Sequence, residues 1–185
     1  MSPNSTQRRL SVAKPTTQLE IVRATTDIEL DHARHLMQAF VAWHRSHHAA
    51  DIALINRYFD AAAFAQELAG LPGHYAPPHG ALLIAYHRGQ PAGCVALRNL
   101  GFGICEMKRM FVADGYRALG IGRALAERAI VEATAIGYRA MRLDTSRQQA
   151  EAIRLYEGLG FQTIPPYYPL SAELEDWLLF FEREL

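Results

Sequence analysis

One amphipathic helix, predicted between Gly120 and Gly137, constrains the fold of this chain more than any other segment. Its apolar residues lie within one arc of a helical wheel and most of its charged residues fall outside that arc, which is typical of a helix that packs on a sheet. Residues 104–112 before it and residues 140–144 after it have the apolar character of strands. A strand, a helix and a strand in this order form a right-handed crossover between parallel strands. The sheet should therefore contain a parallel pair.

Two turns that contain glycine predict that the strands before this crossover form an antiparallel meander. A polar connection of hairpin length, residues 87–90, separates the apolar segments 81–86 and 91–97. A second turn, residues 99–103, leads into the strand that begins at Ile104. A meander joined to one crossover predicts a mixed sheet, and hence an α/β or α+β fold.

The remaining segments complete an expected total of about seven strands and about four helices. One strand and two helices precede the meander, and one helix and two strands follow the crossover. The expected strands are residues 19–24, 161–164 and 177–182, and the expected helices start at an N-cap, Asp27, or cover residues 51–68 and 148–158. No internal repeat or domain boundary interrupts this order.

Length and composition predict one soluble domain and exclude several function classes. The chain has 185 residues, half of them apolar, which is enough for one sizeable core. Its 19 Lys and Arg balance 19 Asp and Glu, so it has no net field for nucleic acid or for a membrane surface. Cys94 and Cys105 form neither a metal-ligand spacing nor a disulfide framework, which favours a reducing, cytoplasmic setting. Residues 1–17 lack the apolar segment of a secretory signal and are predicted to be a flexible tail before a domain at residues 18–185.

The segment Arg117-Ala-Leu-Gly-Ile-Gly122 lies between a predicted strand and the start of the amphipathic helix. Glycines there let a ligand approach the backbone, and the first N–H groups of a helix point outward with the positive end of its dipole. Such a turn binds phosphate or pyrophosphate. A nucleotide-hydrolase loop is excluded, because it needs Gly-Lys followed by Ser or Thr, whereas Ile121 follows Gly120 and Arg123 follows Gly122.

Two alternatives for this turn remain open. A dinucleotide-binding turn would need a third glycine at position 125, which is Leu, and repeated βαβ units, although Asp144 lies near the expected distance for a ribose-binding acid. The turn could also be a helix start with small residues that serve only close packing. Neither alternative explains the segments on both sides of the turn.

Three segments in order resemble the signatures of the GCN5-related N-acetyltransferase (GNAT) superfamily. Residues 117–122 resemble its Gln/Arg-x-x-Gly-x-Gly/Ala motif, and residues 106–112 resemble its fourth strand. Ala152-Ile-Arg-Leu-Tyr-Glu-Gly-Leu-Gly-Phe161 resembles its Ala-x-x-Leu-Tyr-x-x-x-Gly-Phe stretch. The resemblance implies a GNAT fold, in which a mixed sheet is splayed between its fourth and fifth strands and acetyl-CoA lies in the V-shaped gap.

The resemblance also implies a set of residues for acetyl-CoA, and it implies no metal. The pantetheine arm would pair with the backbone of Met110, Phe111 and Val112, and a backbone N–H near Phe111 or Val112 would meet the oxyanion. Gln149 stands where the family often has Asn, and its amide could bond the same arm. The pyrophosphate would be held by the backbone N–H groups of Arg117, Ala118, Leu119, Gly120, Ile121 and Gly122.

Acetyl transfer from a thioester to an amine needs a base for the amine and an acid for the leaving thiolate. By the resemblance, Tyr156 protonates the departing sulfur and Glu106 deprotonates the amine through water. Each has a structural alternative. Tyr156 could be a core tyrosine with a structural hydrogen bond, and Glu106 could pair with Lys108 or Arg98 at the sheet surface.

Several histidines near the end of the first helix are further candidates. His44 and His47 continue the apolar stripe of Phe40 and could line the acceptor cleft with Trp43, or could mark a partly exposed helix end. A zinc site at His44 and His48 would need a third ligand that the sequence does not supply. The pair Tyr167-Tyr168, in a proline-rich loop, is either a lid over the acceptor or surface packing.

These features favour an acyl-CoA-dependent N-acyltransferase that moves an acetyl group to a primary amine in a direct ternary complex. Neither cysteine has a sequence-local partner that would activate its thiolate, which disfavours a ping-pong route. The alternatives are a transferase of a longer acyl group and a non-catalytic CoA-binding regulatory module. A small-molecule amine or a peptide is the expected acceptor, without identification from sequence, and a homodimer is compatible with this interpretation.

Overall fold

The computed structural model describes residues 18–185, which form one seven-stranded sheet and six α-helices. The predicted flexible tail, residues 1–17, lies outside the described residues. The strands are β1 (Leu19–Arg23), β2 (Ala81–His87), β3 (Gln90–Gly101), β4 (Ile104–Val112), β5 (Ala140–Ser146), β6 (Gln162–Ile164) and β7 (Leu178–Glu184). The helices are α1 (Asp27–His47), α2 (Ile52–Tyr58), α3 (Ala61–Ala69), α4 (Ile121–Ile136), α5 (Ala150–Gly158) and α6 (Ala172–Trp177).

The sheet is mixed, with the strand order β1-β2-β3-β4-β5-β7-β6. Strands β1 to β4 form the predicted antiparallel meander, and α4 connects β4 to its parallel neighbour β5. Strand β7 lies between β5 and β6 and is antiparallel to both. The predicted fold class, with seven strands and one parallel crossover, is confirmed.

The described residues contain two more helices than the four expected. The helix expected at residues 51–68 is divided, because the Asp60 side chain accepts a hydrogen bond from the backbone N–H of Ala63 at 2.8 Å and starts α3 there. The second addition, α6, has only six residues, too few to reveal a helical period in the sequence. It delays the start of the last strand to Leu178.

Helix α1 begins one residue earlier than the sequence indicated. Its N-cap is Thr26, not Asp27. The Thr26 hydroxyl accepts from the N–H of Glu29 at 3.3 Å, and the Glu29 carboxylate accepts from the N–H of Thr26 at 2.9 Å. This reciprocal capping box satisfies two helix-terminal donors, which a cap at Asp27 would leave open.

The sheet is covered on both faces. Helix α4 packs on one face through buried residues such as Leu125 and Ala129, which share a core cluster with Met107 on β4. Helix α1 packs on the other face through residues such as Met37, against Ile84 on β2. The middle of the sheet is therefore packed against a helix on each face.

Strands β4 and β5 diverge soon after they meet. They pair at only three positions, Ile104 to Glu106 with Ala140 to Arg142, although β4 has nine residues and β5 has seven. A bulge lies on β4 past this point, where Arg109 has a φ of +56° and two residues of β4, Arg109 and Met110, oppose one of β3, Val95. The bulge bends β4, and the predicted splay between the fourth and fifth strands is confirmed.

The unusual backbone of Arg109 is held by its own side chain. A residue other than glycine in the left-handed region is strained, and it persists where its surroundings fix it. The Arg109 guanidinium forms an ion pair with Glu67 of α3, in which the distance from Nε to Oε1 is 2.8 Å, and it lies 5.3 Å from the ring centres of Phe59 and Phe64. Helices α2 and α3 thus fix the bulge that opens the sheet.

Candidate functional site

An open helix start forms one end of the site. Helix α4 follows Gly120, whose φ of +76° places it in the left-handed region, and no side chain caps the helix. The first helical hydrogen bond to Gly120 comes from Ala124, so the N–H groups of Ile121, Gly122 and Arg123 have no acceptor within the helix. These amides and the helix dipole together attract an anion.

These amides border a groove, here called the α4 groove, that runs between the end of β4, the start of α4 and the start of α5. Nine of the ten residues predicted to bind the cofactor line it. The tenth, Leu119, has a side chain that is 52% exposed and lies outside the lining. The nine are Met110, Phe111, Val112, Arg117, Ala118, Gly120, Ile121, Gly122 and Gln149.

The groove continues into the space between the diverging strands, here called the strand gap. Five residues line both spaces, which makes them one continuous channel. They are Phe40, Met110, Gln149, Ala152 and Tyr156. The ladder between β4 and β5 ends at Glu106 and Arg142, so beyond these residues the edge of β4 that faces the gap has no strand partner. The channel thus offers amides at its mouth and a free strand edge along its length.

Helix α5 brings Tyr156 into the strand gap. The residue is 6% exposed, and its ring packs against Phe161 and Phe181 at centroid distances of 5.9 and 6.3 Å. Burial, followed by the charge of Asp144, raises the pKa of Tyr156, so its hydroxyl is protonated at neutral pH. Within residues 18–185 that hydroxyl has no hydrogen-bond partner. The structural hydrogen bond weighed as its alternative role is therefore not present in this part of the chain.

Glu106 lies below the sheet surface, completely buried. Its carboxylate forms an ion pair with Arg98, accepts a hydrogen bond from the Tyr167 hydroxyl at 2.7 Å, and lies 3.7 Å from Lys108 Nζ. The pairing with Arg98 and Lys108 considered from the sequence is present, but inside the protein. Because Glu106 has no contact with solvent, it can exchange protons only through its neighbours. Of the residues that contact its carboxylate, Tyr167 has a hydroxyl that can pass on a proton.

A buried cluster of Lys108, Asp144 and Tyr58 occupies the base of the strand gap. Lys108 Nζ lies 3.2 Å from Asp144 Oδ1 and 3.0 Å from the Tyr58 hydroxyl, which in turn donates to Asp144. Burial alone would lower the pKa of Lys108, but the charges of Asp144 and Glu106 outweigh it and raise that pKa. Burial likewise opposes ionisation of Asp144, but Lys108 and Tyr58 hold its pKa below the ordinary value. Both groups are therefore charged at neutral pH.

Sequence reasoning missed this cluster and had considered Asp144 only as a ribose-binding acid. Asp144 lines the strand gap and not the α4 groove, so it lies away from the turn that such a role requires. Lys108 and Asp144 each lie two residues beyond the last paired positions, Glu106 and Arg142. Their ion pair therefore joins the strands where the backbone ladder ends. The alternation of charged and apolar residues along both strands was the available signal.

The aromatic end of α1 borders both the α4 groove and the strand gap. Trp43 lines the α4 groove, and the Arg117 guanidinium lies 4.2 Å from its ring centre. His44 lines the strand gap and is buried, whereas His47 is exposed and stacks on Trp43. The Trp43 Nε1 and His44 Nδ1 atoms are buried and have no hydrogen-bond partner among residues 18–185. Such orphaned groups beside a channel suit a polar ligand.

The burial of His44 makes stability depend on pH. Burial, followed by the charges of His48 and Arg117, lowers the pKa of His44 from 6.5 to about 4. Because the unfolded chain binds this proton more tightly, stability is present above pH 6.5 and is lost as pH falls towards 4. Between pH 7 and pH 5 this group should cost about 2 kcal/mol. Urea unfolding should show this loss in the native chain beyond that of a His44→Gln variant; equal losses in the two proteins would contradict it.

The pair Tyr167-Tyr168 packs over the polar side of the sheet. Tyr167 donates to Glu106 and lies under the Arg142 guanidinium, 5.2 Å from its ring centre. Tyr168 packs edge-on against Tyr167 and Phe180. Both tyrosines line a second pocket, here called the outer pocket, which shares Lys108 with the strand gap and does not include Tyr156 in its lining.

Among residues 18–185, no three His, Cys, Asp or Glu side chains lie close enough together to hold a metal ion. None of the helices formed by these residues has the length and apolar character needed to cross a bilayer.

Comparisons with known proteins agree with this geometry. The profile of the Acetyltransferase (GNAT) family matches residues 54–161. An uncharacterised N-acetyltransferase of Schizosaccharomyces pombe is 42% identical over 104 residues, which cover 55% of this chain and 64% of that protein. The match thus spans less than two thirds of that relative's length.

Solved structures share the fold at low sequence identity. An acetyltransferase from Streptococcus agalactiae superposes with a TM-score of 0.72 at 20% identity, covering 91% of this chain and 99% of that one. The PaiA N-acetyltransferase from Thermoplasma acidophilum, solved in complex with coenzyme A, superposes with a TM-score of 0.67 at 16% identity, covering 91% and 100%. At these identities the likeness supports the fold alone.

Proposed function

Since this chain belongs to the Acetyltransferase (GNAT) family, we propose that it is an N-acetyltransferase that moves an acetyl group from acetyl-CoA to the primary amine of an acceptor in a ternary complex. The observation that carries the proposal is the continuous channel from the open start of α4 to the Tyr156 hydroxyl. A non-catalytic coenzyme-binding module would need the groove but not an unbonded, protonated hydroxyl at its inner end.

The α4 groove fits the diphosphate of coenzyme A. The amides at the start of α4 supply hydrogen-bond donors and the helix dipole supplies positive potential. A Cβ added at Gly122 would lie 3.7 Å from Met110 and Val112 and 3.9 Å from Leu155, so a larger side chain would fill the groove. The backbone N–H groups of residues 117–122 are the proposed diphosphate ligands.

The strand gap suits the extended arm of the same molecule. The free edge of β4 at Met110, Phe111 and Val112 can pair with amides, as another strand would. Gln149 stands at the junction of groove and gap, where its Nε2 lies 2.8 Å from His48 Nε2, and its amide is the proposed side-chain ligand of the arm. No residue of this set requires a metal.

Acetyl-CoA supplies an acyl group already activated as a thioester, and two side chains would move the protons. Tyr156 is the proposed acid, because its protonated hydroxyl faces the gap without another partner. Glu106 is the proposed base, reached through Tyr167: the Tyr167 oxygen takes the proton of the amine as its own proton passes to Glu106, 2.7 Å away. A backbone N–H near Phe111 or Val112 would polarise the acyl oxygen.

The proposal extends to the class of acceptor and to the cellular compartment. The proposed acceptor is a primary amine on a small molecule or a peptide. A cytoplasmic location is proposed because Cys94 and Cys105 are buried free thiols, which suits a reducing compartment.

The proposal is tested by thiol release from acetyl-CoA with a panel of primary amines. We expect release that depends on the amine, and a product heavier by one acetyl group. In the same samples, acetyl-CoA at 100 times its Kd should add about 2.7 kcal/mol to the free energy of unfolding. Binding without release for any amine would favour the regulatory module, faster release from longer acyl thioesters would favour another acyltransferase, and absence of binding would overturn the proposal.

A further inference from the structure

The outer pocket has an unusual charge pattern. Among the described residues, five cationic side chains line it and no carboxylate does. It meets the strand gap at Tyr58, Lys108 and Arg109, which line both spaces. An acceptor that occupies the outer pocket therefore lies next to the gap, with these three residues between the two spaces. The five cations are Arg57, Arg98, Lys108, Arg109 and Arg142.

Two of these arginines are held in a row across the sheet. Four residues on neighbouring strands lie opposite one another in register. In order across the sheet they are Arg98 on β3, Glu106 on β4, Arg142 on β5 and Glu182 on β7. Residues directly opposite one another lie on the same face of a sheet, so the row alternates in charge along that face. The carboxylates fix the positions of the two guanidiniums without lining the pocket themselves.

The hydrogen bonds within this row use only one nitrogen of each arginine. Arg98 binds Glu106 through Nε, and Arg142 binds Glu182 through Nε at 2.6 Å. The terminal Nη atoms of both arginines form no hydrogen bond with residues 18–185. Their side chains are 37% and 27% exposed, so these donors are accessible. Oriented guanidinium donors are the groups that bind carboxylates with paired hydrogen bonds.

The remaining cations are neutralised by carboxylates that do not line the pocket. Arg57 pairs with Glu173, Lys108 with Asp144, and Arg109 with Glu67. The pocket therefore presents hydrogen-bond donors to a carboxylate and no carboxylate to a polyamine. The Tyr167 hydroxyl, already donating to Glu106, is not available as a further donor to the acceptor.

We propose that the acceptor is a small amine that also carries a carboxylate, bound by the free Nη donors of Arg98 and Arg142. This inference rests on the proposed acetyl transfer, and it narrows the acceptor from any primary amine to amino acids and related amino carboxylates. The amine is then directed towards Lys108 and the strand gap, with the carboxylate in the outer pocket.

The test compares matched acceptors on the native protein. Each amino acid is assayed beside its carboxamide, which keeps the amine and lacks the carboxylate charge, and beside a polyamine. We expect kcat/KM for the acid to exceed that for the amide by about tenfold or more, as charged hydrogen bonds commonly contribute. Equal rates for acid and amide, or a preference for the polyamine, would overturn the inference and leave acetyl transfer intact. Thiol release that proceeds without any amine would overturn both this inference and the proposed acetyl transfer.

A second test asks whether the preference for the acid over its carboxamide depends on Arg142. Arg142→Gln should raise KM for the acid by about tenfold and leave KM for the amide unchanged, because only the acid uses the guanidinium. Arg154→Gln, which removes an exposed arginine from α5, should change neither value. An equal loss for acid and amide in Arg142→Gln would mean that Arg142 serves structure only. Because Arg98 pairs with a buried carboxylate and its loss could prevent folding, the comparison of acceptors on the native protein carries the test for that residue.

Discussion

The Tyr156→Phe variant is expected to lose about 10²- to 10⁴-fold in kcat for acetyl transfer, the range that a general acid contributes. The phenylalanine ring keeps the packing against Phe161 and Phe181, so the protein should fold normally and KM for acetyl-CoA should change little. What disappears is a hydroxyl that burial keeps protonated and that has no other partner among residues 18–185. The measurement is steady-state thiol release with saturating amine.

The control is Tyr138→Phe in the same core. The Tyr138 hydroxyl donates to the backbone oxygen of His79, so its loss removes a structural hydrogen bond worth about 1 kcal/mol of stability. We expect kcat to be unchanged in that variant. If Tyr156→Phe also retains its turnover, Tyr156 is not the acid, and water would have to protonate the leaving sulfur.

The Lys108→Met variant is expected to lower the free energy of unfolding by about 3–5 kcal/mol, the range for removing one partner of a buried ion pair. Asp144 is 1% exposed and would lose its cationic neighbour, and Glu106, completely buried, would lose a second one 3.7 Å away. The side chain of methionine fills a similar volume, so the loss reports the unpaired charge. Urea unfolding at pH 7 measures it.

Two further variants separate charge from packing. The double variant Lys108→Met, Asp144→Leu should recover most of the lost free energy of unfolding, because it removes the unpaired charge of Asp144 together with that of Lys108. Arg123→Met breaks an exposed pair with Glu127, in which both side chains are about half exposed, and should cost less than about 1 kcal/mol. A loss for Lys108→Met no greater than that of this surface pair would show that the ion pair does not hold the base of the gap together.

The parts of the site that could be predicted from sequence depend on local patterns. The open turn before α4 needs only glycines, a strand before it and an amphipathic helix after it, all within one short stretch. The mixed sheet followed from the alternation of its strands and from the single crossover. The position of Tyr156 on the inner face of α5 followed from helical spacing and from its resemblance to a known stretch.

The remaining features depend on strand register and on distant segments, which local patterns do not contain. Lys108 meets Asp144 because β4 and β5 pair through Glu106 and Arg142 and then separate. The contact of Glu106 with Tyr167 joins residues 61 positions apart. Residues 51–68 looked like one helix because a single aspartate, Asp60, starts a new one without a break in composition.

The same register explains why the two ends of the channel differ in chemistry. One face of β4 contributes apolar residues such as Met107 to the core with α4, and the other contributes Glu106 and Lys108 to the polar network. Because side chains alternate along a strand, one short segment serves both. The end proposed for the coenzyme is thus made of backbone amides and apolar walls, and the end proposed for the acceptor is made of fixed charges.

The central claim is that the amides at the start of α4 hold a diphosphate while the gap between β4 and β5 accepts the arm attached to it. A crystal structure of the protein with coenzyme A tests this most directly. We expect diphosphate oxygens about 3 Å from the amide nitrogens of Ile121, Gly122 or Arg123, and the arm beside residues 110–112. Coenzyme bound elsewhere with the α4 groove empty, or a gap closed by continuous pairing of β4 with β5, would contradict the account.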